Sequence, residues 1–243
     1  MKNFFLITFL ILISVSCNNS EKPIITKDDL IGKTFNYTTS KVNLLFDFQD
    51  STFCRFDNPP DCFLWEIVQK EGSTILYLQS ITSEMHGYFI TSKTNETITG
   101  YSLKNPTYTF VMNERPEKWN RKLLQGKWIN ENFLDYNDNV QDLEKHPMSL
   151  LPGPKGLKVI WPPLLTFKKD TIYSDVYFET VKSPFNISGS NEYITLELWN
   201  EYGFIDKVWE ITTLNDSVLI VNQTSEEEMG SSTKNNVRFV KQK

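Results

Sequence analysis

From residue 34 onward, short segments of Val, Ile, Phe, Tyr and Thr alternate with polar residues and are separated by Gly, Asn, Asp and Pro. Period-two alternation puts apolar side chains on one face of a strand, and β-branched and aromatic residues suit that pleated, half-buried surface. The pattern predicts strands at 34–38, 42–48, 52–56, 62–68, 74–80, 87–91, 97–103 and 107–112. It predicts a second set at 127–131, 158–168, 171–178, 185–188, 193–199, 207–212, 217–222 and 237–241. Adjacent antiparallel strands lose their exposed edges by closing on themselves. The expected fold class is therefore all-β, with two tandem up-and-down antiparallel β-barrels of about eight strands each. A barrel of that size encloses side chains or one small ligand.

The two sets of strands share landmarks. Leu30-Ile31-Gly32-Lys33-Thr34-Phe35 recurs as Leu124-Gln125-Gly126-Lys127-Trp128. Phe48-Gln49-Asp50-Ser51-Thr52-Phe53 matches Phe167-Lys168-Lys169-Asp170-Thr171-Ile172-Tyr173 with one extra residue, and Tyr88-Phe89-Ile90-Thr91 matches Trp209-Glu210-Ile211-Thr212. Each copy closes on Phe-Val, at Phe110-Val111 and Phe239-Val240. The common order points to a tandem duplication. A competing register, Trp65-Glu66-Ile67 against Trp209-Glu210-Ile211, ranks second because it leaves too much chain before the closing Phe-Val. The Gly-Lys-Trp opening and the strand succession resemble the lipocalin-like domains of exported Bacteroidota proteins, with Thr34-Phe35 in place of the tryptophan in the first copy. That resemblance implies a barrel in each copy and a ligand-binding role, without naming the ligand.

Ahead of the repeats, Met1-Lys2-Asn3 is a short basic start, and residues 4–15 are almost wholly apolar. As a helix this run reaches roughly 18 Å at about 1.5 Å per residue, too short for a hydrocarbon core about 30 Å thick. It reads as a secretory signal. Ser14-Val15-Ser16-Cys17 resembles the lipobox of bacterial lipoproteins, cut before a lipidated cysteine; Ser16 fits the small residue before the cut, and Ser14 departs from the usual leucine. The resemblance implies acylation of Cys17 with palmitate-like chains, since one chain alone anchors only marginally. No Asp follows Cys17, which favours the outer membrane, and no Lys-Asp/Glu export signal is present, which leaves the membrane face open. The expected organisation is a signal peptide at 1–16, a tether at 17–27, a first barrel at 28–114, a linker at 115–121 and a second barrel at 122–243.

With Cys17 lipidated, Cys54 and Cys62 remain, flanking the turn-forming Arg55-Phe56-Asp57-Asn58-Pro59-Pro60-Asp61. In an oxidising compartment such a pair predicts a cross-strand disulfide; two free buried thiols are the alternative. His86 and His146 do not stand at zinc-ligand spacing from these cysteines. A net charge of −5 argues against a nucleic-acid partner. There is no nucleophile elbow, phosphate loop or metal-ligand cluster, so neither an enzyme nor a cofactor is expected. Glu66 and Glu71 read as solvated carboxylates, Glu226-Glu227-Glu228 as a solvated turn, and His86 as a mouth or surface residue.

Asp50-Ser51-Thr52, Asp170-Thr171-Ile172 and Asp216-Ser217-Val218 match the O-glycosylation pattern of exported Bacteroidota proteins, with Ser51, Thr171 and Ser217 as acceptors; each also suits a turn entering a strand. In an up-and-down barrel the odd-numbered loops share one end. The second copy is longer in its first loop, 134–157, and in its seventh, 224–236, and the fifth loop, 200–204, joins them there. Long loops in compact domains are more often functional than idle. This mouth, lined by Leu150, Leu151, Trp161, Trp199, Tyr202 and Phe204, is the expected binding face; a solvent-exposed loop with Trp161 and Trp199 in the core is the alternative. Two functions remain open. One is a membrane-tethered module binding a small apolar or amphipathic ligand. The other is a structural or protein-interaction lipoprotein of the envelope, such as an accessory, inhibitor or immunity protein.

Overall fold

The structure, a computed structural model, describes residues 24–56, 61–134, 150–152, 158–160, 164–176, 179–199, 205–227 and 230–242. Its first barrel is β1 (Lys33–Thr38), β2 (Asn43–Phe48), β3 (Thr52–Arg55), β4 (Asp61–Lys70), β5 (Ser73–Gln79), β6 (Met85–Lys93), β7 (Thr97–Ser102) and β8 (Thr109–Arg115). Each strand pairs antiparallel with the next, and β8 returns to β1 with Met112 opposite Tyr37, which closes the sheet. The second barrel starts with β9 (Gly126–Asn130). Next come β10 (Leu150–Pro152) and β11 (Lys158–Ile160), which pair only with each other. It continues through β12 (Leu164–Lys168), β13 (Thr171–Val176), β14 (Glu179–Ile187), β15 (Tyr193–Trp199), β16 (Ile205–Leu214), β17 (Val218–Glu227) and β18 (Gly230–Gln242), which closes on β9.

The alternation seen in the sequence sorts inside from outside. In the first barrel Phe35, Tyr37, Phe46, Phe48, Phe53 and Phe110 are buried in one cluster with Trp65 and aliphatic residues. Their rings pack in stacked and edge-on pairs, with Tyr37 and Phe46 at 4.6 Å and Phe48 and Trp65 at 5.2 Å, the geometries that suit ring quadrupoles. Each barrel has a leucine tucked beneath its first strand, Leu30 and Leu124, carried by a short 3-10 turn. The Trp128 indole donates to the Leu124 carbonyl at 2.6 Å, so the tryptophan fills the barrel floor without losing a partner for its N–H.

The pairing supports the duplication in detail. Ile90 and Ile211 both lie on the sixth strand of their barrels, both are buried, and the register slips just after each of them. Trp65 lies on the fourth strand, which rules out the competing register. The opening motif is offset by one residue from the sequence match. Phe48 faces Lys33 whereas Phe167 faces Gly126, so Phe35, not Thr34, takes the place of Trp128. The extra residue is absorbed in the turn at Gly32, where φ is +74°, a conformation glycine adopts at little cost.

Two expectations need correction. Residues 224–236 are not a long loop: β17 and β18 continue as a ladder from Thr224 opposite Thr233 to Glu227 opposite Gly230. Both faces of this extension are polar, so no apolar alternation marked it in the sequence. The segment 158–168 is not one strand but β11 and β12, in different sheets.

The turn between β14 and β15 joins the two barrels. The Gly189 amide donates to Asp47 Oδ1 and the Ser190 amide to Thr34 Oγ1, each at 2.8 Å, and the Thr34 hydroxyl donates to the same Asp47 oxygen at 2.7 Å. Thr34 and Asp47 face each other on the outer wall of β1 and β2, yet both are buried, because the turn covers them. Glu192 takes Arg115 Nε at 2.8 Å and Lys118 Nζ at 3.1 Å, and the Tyr193 ring stacks on Phe56 at 4.3 Å. A Cβ at Gly189 would lie 2.4 Å from the Gly32 carbonyl oxygen and 2.6 Å from Lys33 Cα. Those are main-chain atoms, so they cannot swing aside.

Gly189→Ala should therefore lower the unfolding midpoint in calorimetry by loosening this contact, by about 1–3 kcal/mol for an overpacked site; an unchanged midpoint would refute the close approach. Burial raises the Asp47 carboxyl above its ordinary value near 3.8, only partly offset by the hydrogen bonds from Gly189, Thr34 and Gln49. The docked form thus holds that proton more tightly than the unfolded chain. The cost of burying the ionised carboxyl is absent below the unfolded value and appears in full as pH rises through the folded one. Asp47→Asn, which keeps an acceptor, should gain stability relative to the parent as pH goes from 4 to 7, whereas Asp47→Ala should lose about 1–3 kcal/mol by orphaning the Gly189 amide. Paired thermal denaturation across that range checks both.

Candidate functional site

A cavity of about 900 Å³ lies where the two barrels meet, within the usual size range of small-molecule sites. One wall is the β3–β4 hairpin of the first barrel, with Arg55, Phe56, Asp61 and the Cys54–Cys62 disulfide. The other is the outer face of β14 to β17. Asn186, Thr195, Val208 and Thr224 stand directly opposite one another on neighbouring strands and form a row across that face. Val208 and Pro184 are apolar contacts on this wall, which Lys182, Glu197 and Lys207 also line.

The cavity also touches Ser183, Leu196 and Ser225, whose side chains face into the second barrel with Phe185 and Ile194. The wall explains this. Among the described residues the ladder between β14 and β15 runs only from Ile187 opposite Ile194 to Phe185 opposite Leu196, and β14 then continues along β13 alone. The barrel is thus split beside the cavity.

Behind the split the interior changes character. Successive inward positions along β17 are Leu219, Val221, Gln223 and Ser225, all buried, so the lumen passes from apolar to polar along one strand. Ser174, Ser183 and Asp206 are also buried, with Asp206 directly opposite Ser225. Asp206 accepts the Trp209 indole N–H at 2.7 Å and the Ser225 hydroxyl at 2.5 Å, which satisfies a carboxylate that would otherwise be costly to bury. Burial holds the Lys234 ammonium, opposite Gln223, below its usual range. Burial, helped by the charges of Glu210 and Glu192, pushes the Tyr193 phenol up to about 12.

Charge at the cavity is partly paired. Lys207 donates to Glu197 at 2.8 Å, the Cys62 amide donates to Asp61 at 2.8 Å, and Arg55 and Lys182 lie over the rings of Phe63 and Tyr173, both at 5.8 Å. Among the described residues no group of three or more His, Cys, Asp or Glu side chains is placed to hold a metal ion.

The sequence expectations distribute unevenly over this geometry. Cys54 and Cys62 are bonded, as the turn between them predicted. Cys17 lies outside the described residues, as do Trp161, Tyr202 and Phe204 of the expected mouth. Leu150 and Leu151 form β10, opposite Ile160 and Val159, and Trp199 ends β15 opposite Ile205. Consecutive antiparallel pairing does place the first, third, fifth and seventh connections of the second barrel at one end. Ser51 and Ser217 are exposed in turns, Thr171 opens β13 half-buried with its hydroxyl on Asp170, and the Ser217 hydroxyl donates to Asn215. The sequence reading missed Arg55, Lys182, Lys207 and the Thr195 row, because they meet only across the contact between barrels. No family model matches the sequence, and no curated protein matches it.

The disulfide stiffens the first-barrel wall of the cavity. Replacing both cysteines by serine should cost about 2–3 kcal/mol on the chain-entropy model, read as a drop in urea midpoint; an identical midpoint in oxidised parent and variant would remove this role.

Proposed function

We propose that this chain is an exported lipoprotein, tethered through acylated Cys17, probing the envelope with a pair of lipocalin-like barrels that bind a small amphipathic ligand in the cleft between them. The observation that carries the ligand reading is the cavity of about 900 Å³ with walls from both barrels. Pockets of this size lined by apolar and a few polar groups are the common form of small-molecule sites. The reading is of a binding protein, not an enzyme, with no cofactor. The lipid anchor rests on the signal-like run at 4–15 and the lipobox-like Ser14-Val15-Ser16-Cys17. The outer membrane is the proposed address, with the periplasmic or surface face left open, and Ser51, Thr171 and Ser217 are proposed O-glycosylation sites.

A second reading, docking to an envelope protein, has its own observation. Val42, Ile81, Met85, Leu103 and Tyr108 are exposed hydrophobics that all sit at the end of the first barrel carrying its odd-numbered connections. Ile81 is 73% exposed. Clustered apolar exposure of this kind often marks a contact surface.

Labelling with an alkyne fatty acid should tag the parent chain and not Cys17→Ala; equal labelling of both rejects the anchor. Native mass spectrometry of the purified chain should show an added small-molecule mass that Thr195→Trp, which fills the cleft, no longer carries. An added mass that persists in that variant would place the ligand elsewhere.

A further inference from the structure

We propose that the cleft opens sideways through the wall of the second barrel, and that the ligand's uncharged, hydroxyl- or amide-bearing end passes through that opening into the barrel interior. This rests on the cleft being the binding site. Two irregularities that face each other make the opening. The Phe185 amide donates to the Asp170 carbonyl, on the β13 side. Amides alternate sides along a strand, so the amide of position 184 would point to β15, and that residue is proline, which has none to give. The β14–β15 ladder accordingly ends beside it, at Phe185 opposite Leu196. Across the gap, Thr195 faces Val208 and Leu198 faces Asp206, so three steps along β15 answer two along β16. An extra residue of this kind bends the strand that carries it. β15 thus turns away where β14 cannot bond to it, and the cavity touches both lips, at Ser183 and Pro184 and at Leu196 and Glu197.

Behind the opening the interior has hydrogen-bonding capacity to spare. Ser183 at the lip, Ser174 on β13 and Gln223 on β17 are each more than nine-tenths buried. They stand opposite Ile172, Leu165 and Trp209, residues of the barrel core, so all three face inward. Yet among the described residues none of these three side chains makes a hydrogen bond, and none of their polar atoms is sealed from solvent. Asp206 and Lys234, the charged groups nearby, already have partners. The groups left over are two hydroxyls and a carboxamide, on the β13–β14 wall and on β17. Each both donates and accepts, and none is charged. Leaving such groups buried without partners is costly. Water can serve them in the free protein, and an uncharged ligand end that repeats its hydrogen bonds can replace it without loss.

A chain beginning at Asn18 keeps every described residue of both barrels and, with Cys54 and Cys62 bonded, has no free thiol. A cysteine introduced at 223 then reports on the interior. Gln223→Cys should react with methyl methanethiosulfonate, a small uncharged reagent, without denaturant. Adding Ser183→Trp, which fills the lip, should slow that reaction about tenfold or more by restricting access, with the unfolding midpoint showing that the fold persists. If that variant does not fold, Pro184→Val, which returns the missing amide, takes its place. In titration calorimetry glycerol monooctanoate, with an uncharged hydroxyl-bearing end, should bind about tenfold or more tighter than octanoate. Ser174→Ala with Gln223→Leu should weaken the ester by about tenfold, the loss of two hydrogen bonds. An unchanged thiol rate in the folded lip variant overturns the opening. Ester binding that is lost in Thr195→Trp but indifferent to the interior pair overturns this proposal and leaves the cleft as the site. Equal affinity for ester and octanoate, or no binding of the ester, overturns the uncharged end. Ester binding that survives Thr195→Trp overturns the cleft reading and this proposal with it.

Discussion

The five-residue turn from Ser188 to Glu192 is the contact on which the arrangement depends. Its amides meet Asp47 and Thr34, its carboxylate meets Arg115, and Gly189 lets its backbone lie against that of the first barrel. The turn is itself stiffened. Asn191, at φ +58°, donates its amide to the Ser188 carbonyl, and Ser188 Oγ accepts the amides of Glu192 and Tyr193. The connecting segment locks onto the same turn through Lys118 and Trp119, whose carbonyl accepts the Asn191 side chain. Buried polar groups tied together by this many hydrogen bonds specify one arrangement, because any shift leaves several of them unsatisfied. The cleft inherits its shape from this contact, since its two walls belong to different barrels.

The two barrels have diverged in what they enclose. The first is filled with rings and aliphatic side chains to the extent that two of its inward tyrosines, Tyr37 and Tyr88, share their hydroxyls, and burial pushes the Tyr37 phenol well above its ordinary value. The second keeps an apolar floor of Trp128, Phe167, Trp209 and Phe239 but becomes polar toward the end where β14 and β15 separate. A duplicated fold can diverge this way because the closed backbone ladder does not depend on which residues point inward, provided each buried polar group finds a partner.

The outward faces diverged too. Thr34 and Asp47 occupy outward positions on β1 and β2, where Lys127 and Thr166 stand in the second barrel. In the second barrel Lys127 is exposed and Thr166 half-buried; in the first barrel both positions are buried by the docking turn. One copy thus became the receptor for a turn of the other, without change to the strand order of either.

Most strand positions, the tandem repeat and the disulfide were legible in the sequence. Each leaves a local mark: alternation with period two, landmarks in a common order, and two cysteines around a turn of Asp, Asn and Pro. The extension of β17 and β18 was not legible, because Thr, Ser and Asn on both faces carry no alternation. The match of Phe35 with Trp128 was likewise settled only by cross-strand pairing, because a one-residue change in a glycine turn shifts the sequence match without shifting the ladder. The cleft was decided by tertiary structure alone. Arg55 and Lys182 are 127 positions apart in the chain, and nothing local to either residue records the docking that places both at one cavity.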